Sequence, residues 1–62
     1  MTYQNGAQTV FQITYRGSVY SVEDGLFRND GIGTDFETFS DAWEVFKTLP
    51  EWEQNAAKIE EF

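Results

Sequence analysis

The chain has 62 residues with neither a cysteine nor a histidine, and this absence limits its folding options more than any other feature. Domains of this size are commonly reinforced by disulfides or a structural metal, and both are closed to it. A chain so short buries only about 60% of the surface its unfolded form exposes. Its stability must therefore come from packing or from self-association. Six Phe, three Tyr and two Trp supply the material, since a fully buried large apolar side chain contributes roughly 1.5–3 kcal/mol. Disordered chains lack such residues, so the net charge of −7 does not argue for disorder. A single compact domain over residues 1–62 is expected, with residues 1–8 frayed because they show no apolar alternation.

The same absence removes whole classes of function. Ser/His and Cys/His nucleophilic chemistry has no base or thiolate, and zinc has no Cys or His ligand. Asp30, Asp35 and Glu37 are close enough in sequence to suggest a carboxylate pair, but so small a domain lacks a deep cleft in which to desolvate one. The chain is expected not to be an enzyme and to need no cofactor or metal. Residues 26–37 superficially match a calcium loop, with Asp30-Gly31 at the fifth and sixth positions and Glu37 at the twelfth. Leu26 and Arg28 stand where calcium needs oxygen ligands, so the segment reads as a turn held by Asn and Asp side chains. Gly31-Ile32-Gly33 is turn chemistry as well, lacking the third glycine and following helix of a dinucleotide fingerprint.

The first half predicts a β-hairpin. Residues 9–15 and 18–22 are rich in β-formers and flank Arg16-Gly17. A two-residue turn sets Tyr15 opposite Ser18, Ile13 opposite Tyr20 and Phe11 opposite Val22, placing these apolar residues on one face. A three-residue turn including Ser18 is the alternative, because Arg is disfavoured where φ must be positive. Val10 and Val19 are expected on the open side of the sheet. Glu23-Asp24-Gly25 marks a second turn, Leu26–Arg28 a short strand, and residues 29–33 a third turn before Thr34–Phe36. The period then changes. Phe39, Ala42, Trp43, Phe46 and Leu49 form one helical face behind an N-cap at Thr38, with Trp43 expected as its buried hub. Pro50 ends this helix and opens a second, expected to run to about Glu60 with Trp52, Ala56 and Ile59 facing inward. The fold class is thus α+β, a small antiparallel hairpin sheet packed against two C-terminal helices.

Charge is unevenly placed. Every carboxylate lies at or after Glu23, so residues 23–62 hold eleven acids against three bases, a net of −8. Nucleic acid and anionic membranes would be repelled, and no run approaches the roughly 20 apolar residues of a membrane span. With no basic start or apolar leader at the N-terminus, a cytoplasmic location is expected. Much of the acid reads as a solubilising face. The sharper expectation is that Glu23, Asp24, Asp30, Asp35, Glu37, Asp41 and Glu44, in turns and on the outer helix face, meet a basic surface of a protein partner. Carboxylates so spaced would mimic backbone phosphates and occupy a nucleic-acid groove, as an inhibitor or modulator would. Small phage and mobile-element proteins share this short, acidic, aromatic-rich character, which would place such a protein in a host cytoplasm, but no motif names a family. The alternative is a self-associating module, a homodimer formed through exposed aromatics.

Overall fold

A computed structural model describes residues 10–62; the expected fraying of residues 1–8 lies outside them. The elements are β1 (Phe11–Tyr15), β2 (Ser18–Ser21), β3 (Leu26–Arg28), α1 (Phe39–Phe46), α2 (Glu51–Ala56) and β4 (Lys58–Glu61). They form one antiparallel sheet of order β3-β2-β1-β4 with two helices, the α+β architecture expected. Three strands precede the helices and a fourth follows them.

The β1–β2 hairpin has the two-residue turn. Tyr15 pairs with Ser18 and Thr14 with Val19, while Arg16 and Gly17 both take positive φ, 51° and 84°. Their left-handed conformation matches the right-handed twist of the strands. Arg16 pays a steric cost there, and its guanidinium lies 5.8 Å from the centre of the Tyr15 ring. The β2–β3 loop closes with the Gly25 amide donating to the Ser21 carbonyl at 2.8 Å, with Gly25 at φ 67°.

Phe11 does not face Val22. The β1–β2 ladder runs only from Tyr15↔Ser18 to Thr14↔Val19, short of the expected Ile13–Tyr20 pair, and the segment leading to α1 enters between the strands. The Thr34 amide donates to the Tyr20 carbonyl (3.2 Å), and Phe36 exchanges two backbone bonds of 2.8 Å with Phe11. The Val22 amide donates to the Thr34 hydroxyl at 3.1 Å. This insertion carries Phe36 into the core, where it lies beside the fully buried Ile13 and beside Ala42, Phe46 and Leu49.

Before it enters, the same segment crosses the sheet on the side away from the helices. Tyr20 packs toward the core, so Val19 points to the opposite face, and Gly33 rests directly on it. A Cβ on Gly33 would lie 2.1 Å from Val19 Cγ1. Val19 is therefore buried, at 8% exposure, and is not the open apolar position expected. The buried polar side chains on this face have partners. Thr14 donates to Glu60 at 2.5 Å, and the Ser21 hydroxyl accepts from the Asp24 amide at 3.4 Å.

Thr38 caps α1 as expected, its hydroxyl accepting from the Asp41 amide at 3.1 Å. Ala42, Phe46 and Leu49 are buried, but Trp43 is 45% exposed and Phe39 53% exposed, so Trp43 is not the hub. Ile13 occupies the centre instead. The inner face of α1 is rotated toward Ala42 and Val45, and Val45 packs on the core together with Phe27. Trp43 lies on the flank, stacked on Phe46 with ring centres 5.5 Å apart. Gln54 joins the helices by donating to the carbonyls of Lys47 (3.2 Å) and Leu49 (2.7 Å).

The second helix stops at Ala56, well short of Glu60. Ala57 is extended (φ −94°, ψ 166°), and residues 58–61 pair with β1 from Thr14↔Lys58 to Phe11↔Glu61. One turn of further helix would gain little, because short helices owe their stability to packing. As a strand, the segment instead satisfies the outer backbone groups of β1 and sets Ile59 opposite Ile13. Trp52 is left 65% exposed, and Ala56 is exposed too.

Candidate partner-binding surface

All seven carboxylates singled out from the sequence are exposed, but the fold treats them differently. Asp24 and Asp30 flank Arg28 on the edge strand, and both bind it; Asp30 does so at 2.9 Å. The other oxygen of Asp30 accepts the Ile32 amide at 3.0 Å. That amide, followed by Arg28, holds the Asp30 carboxyl below its ordinary range. Asp30, ahead of Asp24, raises Arg28 in turn. These two carboxylates are turn-forming groups with an internal counter-ion, and both Asp30 oxygens already have protein donors. Among the described residues, no three acidic side chains converge as metal ligands would.

Four of the others gather near one end of the sheet. Val22 and Thr34 are bonded to each other, which brings their sequence neighbours Glu23 and Asp35 to that end. Asp35 and Glu37 flank Phe36, whose partner Phe11 also faces Glu61 on β4. Asp41 lies in the first turn of α1 just beyond. Asp35 is the most firmly placed, since Gln12 donates to its carboxylate at 2.5 Å. Glu44 lies farther along α1 and pairs with Lys47 at 3.3 Å.

The bases leave this end unneutralised. Arg28 is held by Asp24 and Asp30, Lys47 by Glu44, and Lys58 lies 3.8 Å from Glu60. Arg16 sits at the β1–β2 turn, the opposite end of β1. Among the described residues, Glu23, Asp35, Glu37, Asp41 and Glu61 therefore have no ion-pair partner. Sequence alone gives Glu61 no place in this group, because the expected second helix carries the chain on to about Glu60; only its pairing opposite Phe11 brings it to this end. Beside this end lies an apolar strip of α1, where Phe39 meets the edge of Phe11 with ring centres 6.1 Å apart and Trp43 follows one turn on.

No helix among the described residues is long and apolar enough to cross a membrane. No protein-family model matches the chain, and the comparisons with curated proteins and with solved structures return no match.

Proposed function

We propose that this chain is a protein-binding module, an inhibitor or modulator whose acidic end meets a basic surface on a partner protein. The observation carrying this reading is the group of five exposed carboxylates without ion-pair partners among the described residues, Glu23, Asp35, Glu37, Asp41 and Glu61, around one end of the sheet. Unpaired like charges held together repel one another, and a basic surface relieves that repulsion on contact. A groove that otherwise holds nucleic-acid phosphates has the required sign. Catalysis has no part in this reading: the chain offers neither a thiol nor an imidazole, and Asp30, Asp35 and Glu37 are exposed rather than desolvated in a cleft.

The test compares two neutralised variants against a partner recovered by pull-down from the cell of origin. One carries Glu23→Gln, Asp35→Asn, Glu37→Gln and Asp41→Asn; the other carries Glu51→Gln and Glu53→Gln on α2. The first set should slow association and flatten its salt dependence, because steering by charge acts mainly on the on-rate. The second should change little. Equal association rates for parent and first variant, with no salt dependence, would remove the acidic-end mechanism.

A further inference from the structure

The outer edge of the sheet at β4 carries an order of charges that fits a second copy of itself. The backbone bonding identifies which groups point outward. Val10 and Phe62 exchange both backbone bonds, at 3.4 and 2.8 Å, so theirs is a hydrogen-bonded pair of the β1–β4 ladder. Antiparallel pairs alternate, which makes Gln12↔Glu60 and Thr14↔Lys58 hydrogen-bonded and leaves the amides and carbonyls of Ile59 and Glu61 directed away from β1. Among the described residues, nothing pairs with that outer edge.

We propose that two copies of this chain associate by antiparallel pairing of β4 with β4 about a two-fold axis at Ile59, giving a continuous eight-stranded sheet. In this register the two Ile59 residues exchange both backbone bonds, with their side chains on the core-facing side. Lys58 then stands opposite Glu60 of the second copy, twice over, at non-hydrogen-bonded positions where opposing side chains are closest. The neighbouring registers fail on charge. Moving one step along sets Glu60 against Glu60, the next sets Glu61 against Glu61, and moving the other way sets Lys58 against Lys58. Charges on an edge strand ordinarily discourage pairing, but the order Lys-Ile-Glu-Glu discourages every register except one. Lys58 is free to turn outward, with its side chain 72% exposed and held only by the 3.8 Å approach to Glu60. Each copy brings a net charge of −7, so the dimer is concentration-dependent rather than obligate. It takes up Glu61, which stands opposite Ala57 of the second copy, but leaves the β2–β3 loop and the segment around Asp35 uncovered, so the other four carboxylates of the acidic end stay free and the dimer does not depend on that reading.

Sedimentation velocity over a wide concentration range tests this, with thermal unfolding run in parallel to confirm that each variant is folded. The parent should shift from monomer toward dimer as concentration rises. Lys58→Glu and Glu60→Lys should each raise the dissociation constant at least about tenfold, because both cross-strand pairs become repulsive. The double variant, carrying both changes, should recover the parent's association, since it restores opposite charges in the same register. Glu60→Gln, which removes charge but keeps an acceptor for Thr14, should weaken the dimer less than Glu60→Lys. A parent that stays monomeric throughout, or a folded double variant that associates no better than the single ones, overturns the proposal.

Discussion

Gly33→Ala should be among the most damaging single-methyl additions in this chain. The demand at Gly33 is for space rather than for a left-handed backbone. A Cβ there would meet Val19 Cγ1 at 2.1 Å, the Tyr20 carbonyl oxygen at 2.8 Å and Val19 Cβ at 3.0 Å. A rotamer change in Val19 could clear the first contact, but the carbonyl cannot move without disturbing β2. The crossing segment must therefore lift, weakening the Thr34–Tyr20 and Val22–Thr34 bonds, each a net ~1 kcal/mol. Overpacking adds about 1–3 kcal/mol, so with both bonds lost the total is about 3–5 kcal/mol. A chain of this length holds about 3–9 kcal/mol in all. Thermal unfolding followed by circular dichroism should show a midpoint at least about 10 °C lower, at about 4–8 °C per kcal/mol. Gly25→Ala is the control. Its nearest contact would be the Tyr20 hydroxyl at 3.9 Å, so only the strain of a positive φ remains, about 1–2 kcal/mol. Adding Val19→Ala to Gly33→Ala should not restore stability, because the carbonyl contact persists. A Gly33→Ala protein melting within about 3 °C of the parent would refute the packing of this segment against the sheet.

Ile13→Ala should cost about 2–5 kcal/mol, since Ile13 is fully buried at the centre of the core; Trp43→Ala, at a residue 45% exposed, should cost clearly less, and chemical denaturation of the two should rank them in that order. Thr38→Ala should lose about 0.5–2 kcal/mol with the N-cap bond to Asp41, again read by denaturation. Asp30 has a folded-state pKa below its unfolded one, so its contribution is present above the ordinary aspartate range and lost as pH falls through the lowered value. Asp30→Asn should therefore flatten the acid side of the stability–pH curve relative to the parent, as measured by melting from neutral to strongly acid pH.

Local signals carried the parts of the fold that are decided locally. Arg16-Gly17 between two β-rich runs located the turn but left two registers open, of which the two-residue one with Tyr15 opposite Ser18 forms, and Thr38 ahead of Asp41 specified the start of α1. Where distant segments compete for the same edge, the pattern was ambiguous. Trp52, Ala56 and Ile59 have helical spacing, yet residues 58–61 contain a single large apolar residue and fit a strand equally well. The decision rests on β1, 44 or more residues away, which needs a neighbour on its outer side. The Phe11–Val22 pairing failed for a related reason: Thr34 to Phe36 displace Val22 from β1, and nothing near Val22 announces it. Exposure of Trp43 follows from geometry as well, because a flank position on a single eight-residue helix is covered only if something lies beside it. The candidate surface was legible in its charge but not in its grouping. Sequence placed Asp24 and Asp30 in it without revealing that Arg28 holds both, and it omitted Glu61.

The way Asp35 is held bears on whether the acidic end is more than a solubilising surface. Thr34 on one side is fixed to Tyr20, Phe36 on the other is fixed to Phe11, and the carboxylate itself receives Gln12. Burial of Phe36 explains the two backbone anchors, but the core gains nothing from the Gln12 contact at the exposed surface. Solubility needs charge and not position, and Glu51 and Glu53 on α2 supply charge with no such restraint. A carboxylate already ordered loses less side-chain freedom on binding, a cost of about 0.5–1.5 kcal/mol for each rotamer-rich group immobilised. Gln12→Ala separates the two roles, since it leaves the charge of the acidic end intact while freeing Asp35. Under a positioned-surface mechanism it weakens partner binding mainly through faster dissociation, with the salt dependence unchanged. If charge alone matters, it has no effect on either rate.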